Sequence, residues 1–256
     1  MNGIGIVVAL PREIPAGFVR IDKRQRAASC PFAIYRSASA AAQHVAVQAG
    51  VGRTRVAEGA RLLIRRFSPQ ALVSVGFAGG LLPTLDRGTL IIGTEVVCED
   101  SSPPWATADR DLVEQFQAAA DAAALPVQQG RLVTSRHVVA DPASKAALRG
   151  KSGACAVDME TMGIAGVAHE AGLPWAAVRV IVDSAGDTLP PALLTILRED
   201  GHVATGRLLQ MICRSPQLLG HLLWLVAATA TARRHLSQIF ERWIRRLRVQ
   251  RHHEPG

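Results

Sequence analysis

AVDMETMGIAGVAHEAGLPWAAVRVIVDSAGD, residues 156–187, decides the architecture of this 256-residue chain. Glu160 opens a helical pattern in which Ile164, Val167, Ala168 and Ala171 recur on one face, and Gly172-Leu173-Pro174 ends it. Trp175 to Val182 then reads as a buried strand closed by Asp183. In an open α/β sheet, ligands lie beyond the carboxyl ends of the strands, so Asp183 falls where chemistry is usually done. A βαβ connection brings the helix start at Glu160 towards the same edge. Two carboxyl groups there point to acid/base chemistry.

The same alternation extends outward. Ile4 to Leu10 reads as a first strand; no basic residues precede it and Arg12-Glu13 follows at once, which argues against a signal peptide. Phe32–Tyr35 and His44–Gln48 read as strands, and Gly50-Val51-Gly52 as a turn. Arg55–Phe67 follows as a helix with Val56, Ala60, Leu63 and Ile64 on one face, then Ala71–Val75 as a buried strand. Gly76-Phe77-Ala78-Gly79-Gly80 reads as a glycine-rich turn where missing side chains let a ligand approach the backbone. Leu90–Val97 (strand), Asp109–Ala124 (helix) and Val127–Val133 (strand leading into Thr134-Ser135-Arg136-His137) complete an α/β pattern, expected to fold as a three-layer α/β/α domain over residues 1–188.

Residues 189–256 differ in character and are expected to form a helical C-terminal extension. After the break at Leu189-Pro190-Pro191 come short helical pieces, and then Leu218–Ala232, an apolar run of fifteen residues interrupted by His221. A bilayer span needs about 18 to 20 residues, so this run suits a buried or interfacial helix. Arg233–Arg248 places Leu236, Ile239, Phe240, Trp243, Ile244 and Leu247 on one face and arginines on the other, a composition that binds anionic membrane surfaces. Of the net charge of +8, about +5 lies from Arg233 onward, where seven arginines face Glu241 and Glu254. Most of the positive charge is therefore a property of the tail; the remaining chain carries a modest positive balance without the aromatic interleaving of single-strand binders, and does not indicate nucleic-acid binding. Cys30, Cys98, Cys155 and Cys213 form no CxxC pair, and the histidines His44, His169, His202 and His221 are isolated. These patterns suggest no zinc site, no disulfide framework and no cofactor, in a chain of the reducing cytoplasm.

Five blocks occur in a familiar order: Gly5-Ile6-Val7-Val8-Ala9-Leu10-Pro11-Arg12-Glu13, Gly50-Val51-Gly52, Gly76-Phe77-Ala78-Gly79-Gly80-Leu81, Val157-Asp158-Met159-Glu160 and Arg179-Val180-Ile181-Val182-Asp183. In this order and spacing the chain resembles the nucleoside phosphorylase and nucleosidase superfamily over roughly residues 3–187, above all its methylthioadenosine/adenosylhomocysteine nucleosidase branch. The resemblance implies a mixed central sheet, a homodimer and cleavage of an N-glycosidic bond to a purine.

It also implies roles. Asp183 matches the acid that protonates N7 of the purine, Glu160 the acceptor for the ribose 2′ and 3′ hydroxyls, Met159 the methionine packed on the sugar, and Glu13 the activator of the attacking water. Phe77, Ala78 and Gly79 would line the floor, Val138 and Val139 the wall around the base, with Asp158 behind. Taken singly, each acid has a plainer reading: Asp183 as a turn cap, Glu160 as a first-turn helix acid, Glu13 as a solvated loop acid. Arg136 and His137 read as surface or loop residues. Where phosphorylases carry an arginine and a hydroxyl for phosphate, this chain has Ser74 and Phe77, which tilts the expectation to water; Arg53 and Arg55 are the remaining candidate cations.

The nucleosidase core, the Pro-Pro junction and the basic tail together are similar to the hopanoid-associated phosphorylase-like proteins. That resemblance implies adenosylhopane as substrate, met at the inner face of a membrane by a peripherally bound enzyme. The alternatives are a soluble methylthioadenosine/adenosylhomocysteine nucleosidase, a phosphate-dependent purine nucleoside phosphorylase, and a catalytically inactive membrane-binding module.

Overall fold

Residues 3–21, 31–38, 44–100, 106–189 and 218–251 are described by the computed structural model. In chain order they form β1 (Gly5–Val8), a 3-10 turn (Pro11–Glu13), β2 (Phe18–Arg20), β3 (Ala33–Ser37), β4 (Val45–Gln48), α1 (Arg53–Phe67), β5 (Leu72–Gly80), β6 (Leu90–Cys98), β7 (Ala106–Thr107), α2 (Arg110–Ala122), β8 (Val127–Thr134), α3 (Pro142–Ser152), β9 (Ala156–Asp158), α4 (Thr161–Glu170), β10 (Trp175–Asp183) and α5 (Leu218–Arg251). The break at Pro190-Pro191, the short helical pieces expected after it and His202 lie outside the described residues.

The strands join one sheet of mixed direction. β1 lies parallel to both β4 and β5, while β10 runs parallel to β5 and antiparallel to β6. β5 pairs with β10 along one edge; on its other edge Leu72–Ser74 pair with β1, and Gly79 and Gly80 with β9. Strands β5, β10, β6, β8 and β9 therefore close into a ring, and β1, β4, β3 and β2 extend from β5 as a wing. Helices α1 and α4 pack as one pair and α2 and α5 as another, completing a three-layer α/β/α arrangement. β1 and β10 are apolar at nearly every position because both are interior strands.

The Gly76–Gly80 segment corrects the sequence expectation. It is the second half of β5 rather than a turn, and it pairs with β10 from Gly76↔Arg179 to Gly79↔Asp183, with a register shift between Ile181 and Asp183. Its glycines provide clearance: a Cβ on Gly76 would lie 2.7 Å from Arg179 Nη1 and 2.9 Å from Glu13 Oε1. Helix α3 was not expected at all, although its signals are present. Asp141 accepts a hydrogen bond from the Ser144 amide (2.9 Å), Pro142 occupies the first turn, and Gly153 ends the helix at φ 64°.

The C-terminal stretch is helical, as expected, and the surface its apolar face meets is defined by the fold. Leu218–Ala232 and Arg233–Arg248 belong to one continuous helix, α5, whose apolar stripe from Ala232 to Leu247 faces the protein's own core. Ala232, Leu236, Ile239, Phe240 and Trp243 are all buried. The Trp243 ring stacks on Phe116 of α2 at 4.5 Å and meets Phe240 edge-on, and its Nε1 donates to Gln115 Oε1 at 3.1 Å. An amphipathic pattern states only that one face must be covered; here α2 and the sheet cover it. Arg233, Arg234, Arg242, Arg245 and Arg246 remain exposed on the other side. Among the described residues no helix is long and apolar enough to cross a membrane.

Trp243→Ala is expected to lower stability by about 3–5 kcal/mol, the usual cost of removing a buried aromatic side chain. Urea unfolding measures it, and an unchanged midpoint would contradict the docking of α5.

Candidate active site

Strand β1 delivers Glu13 through the 3-10 turn that Pro11 begins. The side chain is buried, with Oε2 accepting from the amides of Ala9 (2.9 Å) and Leu10 (2.7 Å) and Oε1 from the amide of Phe77 (3.0 Å). The carboxyl group thus joins the end of β1 to the middle of β5. This is not a solvated loop acid. Burial raises its pKa above the ordinary value, against the lowering effect of these amides and of Arg179.

The corner between β9 and α4 supplies two further acids with separate tasks. Asp158 Oδ1 accepts from Thr134 Oγ1 (2.7 Å), and Oδ2 accepts from Arg179 Nε (2.8 Å), the Thr161 amide (3.1 Å) and Thr161 Oγ1. Because Asp158 meets the first-turn amide of α4, Glu160 is not needed there and makes no cap bond. Its Oε1 instead accepts from the Gly52 amide at 3.1 Å, at the start of α1. Burial, and then the charges of Asp158 and Glu13, push the Glu160 pKa up to about 8, with Arg179 acting in the opposite direction.

Arg179, on β10, is the counter-charge behind this group. It is 1% exposed, and its Nη2 donates to Ser74 Oγ (2.7 Å) and Thr161 Oγ1 (2.8 Å). The sequence blocks include Arg179 but assign it no task. A charged residue within an otherwise apolar strand was the signal, since a buried guanidinium requires partners.

Asp183 ends β10 and is 5% exposed. Its Oδ2 accepts from Lys145 Nζ of α3 at 2.5 Å. Burial raises its pKa, and Lys145 opposes the rise. The turn that follows is capped by Asp187, whose Oδ2 accepts from the Ser184 amide at 2.6 Å, so Asp183 is not the turn cap. Lys145 was not singled out from sequence. It is one of three lysines among twenty-nine basic residues, the rest being arginine, and that rarity was its only mark.

These groups surround one cavity of about 230 Å³. Glu13, Phe77, Ala78, Gly79, Val138, Val139, Met159, Glu160 and Asp183 all line it, as do Asp158, Leu189 and, from α5, Thr229. His137 reaches its mouth from an exposed position, whereas Arg136 pairs with Asp100 at 2.5 Å. Among the described residues no arginine or lysine lines the cavity. Arg53 is held by Asp100 at 3.1 Å, Arg55 Nε donates to the Ala49 carbonyl, and Ser74 is buried beneath Arg179. Among the described residues no group of histidine, cysteine or acidic side chains is arranged to hold a metal ion.

Residues 3–214 match the phosphorylase superfamily. The chain belongs to that superfamily. Among its relatives, the 5′-methylthioadenosine/S-adenosylhomocysteine nucleosidase of Geobacillus thermodenitrificans is 32% identical over 200 residues, covering 71% of this chain and 84% of the relative. Its counterpart in Geobacillus kaustophilus is 34% identical over 159 residues, covering 56% and 68%. The same-named enzyme of Neisseria meningitidis, solved in complex with methylthio-immucillin-A, superposes with a TM-score of 0.71 at 20% identity, covering 95% of this chain and 99% of its own. Futalosine hydrolase of Helicobacter pylori superposes at 0.70 and 17% identity, covering 94% and 97%. These two structures share the fold.

In this superfamily member the raised carboxyl pKa values carry a sign for stability. A carboxyl group that binds its proton more tightly folded than unfolded stabilises the fold below its unfolded pKa and loses that contribution as pH rises through its folded pKa. For Glu160 the window runs from 4.5 to about 8. The Tm of the unliganded protein is expected to fall across it, and less steeply in Glu160→Gln. Calorimetry over this range checks the point, and equal slopes for the two proteins would contradict it.

Proposed function

We propose that the chain hydrolyses the N-glycosidic bond of an adenosyl nucleoside and releases adenine. The observation that carries this reading is three acids, Glu13 and Asp183 buried and Glu160 half-buried, around one cavity that no arginine or lysine among the described residues lines. The relatives named above, 5′-methylthioadenosine/S-adenosylhomocysteine nucleosidases, support the substrate class.

The roles follow from what the bond needs. As the C1′–N9 bond breaks, its electrons move to the purine and C1′ gains oxocarbenium character. Asp183 gives its proton to N7, so the base leaves neutral. Glu13 accepts a proton from the water that attacks C1′, its basicity raised by burial. Glu160 accepts hydrogen bonds from the ribose hydroxyls, and Met159 packs on the sugar. Phe77, Ala78 and Gly79 form the floor, and Val138 and Val139 bracket the base. The lack of a lining arginine or lysine among the described residues favours water over phosphate, since a phosphate dianion needs positive partners.

The group on C5′ has two readings. A methylthio or homocysteinyl group follows from the relatives. An apolar, lipid-linked group such as adenosylhopane, met at an anionic membrane in the cytoplasm, is favoured by the rim of the cavity. Val138 there is 40% exposed, Thr229 brings α5 to the wall, and Val226, one turn earlier, is 53% exposed. With Ala232, Leu236, Ile239, Phe240 and Trp243 of α5 packed inward, the exposed Arg233, Arg234, Arg242, Arg245 and Arg246 can meet lipid headgroups.

Incubation with methylthioadenosine and with adenosylhopane, each with and without phosphate, tests these readings by product analysis. Phosphate-independent release of adenine from at least one of them is expected. Formation of a ribose 1-phosphate would overturn the choice of water, and no adenine from either would favour an inactive membrane-binding module. Preference for adenosylhopane over methylthioadenosine would select the lipid-linked reading.

A further inference from the structure

Lys145 is completely buried, yet it carries an ammonium group. Such a group is tolerated only when its donors are met, and here each has an acceptor: Asp183 Oδ2 at 2.5 Å, the Ser184 carbonyl at 2.6 Å and the Asp187 carbonyl at 3.2 Å. All three acceptors belong to the end of β10 and the turn after it. That turn is itself fixed. Ser184 donates its amide and hydroxyl to Asp187 Oδ2 (2.6 and 2.8 Å), Arg87 Nε donates to the same oxygen at 2.9 Å, and the Leu189 amide bonds to the Ala140 carbonyl just before α3. On the other side, the backbone of β5 comes close enough that a Cβ on Gly79 would lie 3.1 Å from Asp183 Oδ2 and 3.4 Å from Oδ1. The carboxyl group is held between amine and strand, with Oδ2 tied to Lys145 and Oδ1 making no hydrogen bond to the described residues.

Building on the reading that Asp183 protonates the purine, we propose that Lys145 is a positioning residue for that transfer: it fixes which carboxyl oxygen meets N7 and stabilises the carboxylate left behind. In the step the O–H bond of Asp183 breaks as the N7–H bond forms, and the electrons of the C1′–N9 bond pass to the purine. Lys145 keeps all its protons and gains a full anionic partner. Charge-assisted hydrogen bonds of this kind are stronger than neutral ones, so the interaction grows as the proton leaves. The other charged groups near Asp183 do not replace it. Asp187 raises the affinity of Asp183 for its proton, Arg87 lowers it but is itself paired with Asp187, and Glu13, Glu160 and His137 share the cavity.

The test uses the full chain with Lys145→Met and Lys145→Gln, the second retaining a hydrogen-bond donor without the charge. Turnover is measured against pH for methylthioadenosine and for its N7-methylated analogue, whose purine is already cationic and needs no proton. On methylthioadenosine both variants are expected to lose about tenfold or more in kcat, part of the roughly 10²–10⁴-fold that general acid catalysis supplies. The alkaline limb of the profile should move to higher pH, because without the ammonium Asp183 keeps its proton longer. On the N7-methylated analogue the loss should be several-fold smaller. Equal losses on the two nucleosides, an unshifted alkaline limb, or failure of both variants to fold would assign Lys145 a structural task only and overturn the proposal. A wild-type protein that releases no adenine from either methylthioadenosine or adenosylhopane would instead contradict the underlying reaction, and one active on adenosylhopane alone moves the same comparison to adenosylhopane and its N7-methylated analogue.

Discussion

One buried guanidinium holds the site together. Arg179 lies with 1% of its surface exposed beneath Asp158, Glu160 and Glu13, three acids that would otherwise repel one another in a closed space. Its pair with Asp158, Nη2 to Oδ2 at 2.7 Å, is almost dry. Breaking such a pair by removing one partner typically costs about 3–5 kcal/mol, because a lone charge is left inside. Asp158 shares its remaining acceptor capacity among Thr134, Thr161 and the start of α4, so the corner that carries Met159 and Glu160 is fixed by the same charge. Arg179 does not line the cavity; it makes it possible to collect acids there.

The sheet is shaped around this requirement. Arg179 and Asp183 are four residues apart on β10, both aligned with the glycine-rich half of β5. Gly76 leaves room for the guanidinium and for Glu13, and Gly79 leaves room for the carboxyl of Asp183. The second half of β5 is thus a strand whose missing side chains admit the functional groups of β1 and β10. Lys145 serves Asp183 from α3 as Arg179 serves the other acids from β10, so each buried carboxyl has either a cation or several backbone amides against it.

Much of this was legible in the sequence because its signals are local. The periodicity of α4, its ending at Gly172, and the apolar run of β10 lie within one continuous stretch. So does the strand before Glu13. What failed was information carried across the chain. Glycines in a row usually punctuate a chain, so Gly76–Gly80 read as a turn; the reason for a strand sits about a hundred residues later, in the register with β10. Lys145 was missed because its partner is 38 residues away. The stripe of Leu236, Ile239, Phe240 and Trp243 predicted an apolar face correctly, but an amphipathic pattern does not name the surface it meets, and Phe116 and the sheet meet it here.

The central claim is that the acids gathered around this cavity carry out hydrolysis, with Glu13 acting on water. Glu13→Gln offers the most direct measurement: it keeps the size of the side chain while removing the base. Adenine binding by calorimetry should stay within a few-fold of wild type, while adenine release from the nucleoside the wild type turns over should fall by about a hundredfold or more. Undiminished release in a variant that binds adenine normally would contradict the account.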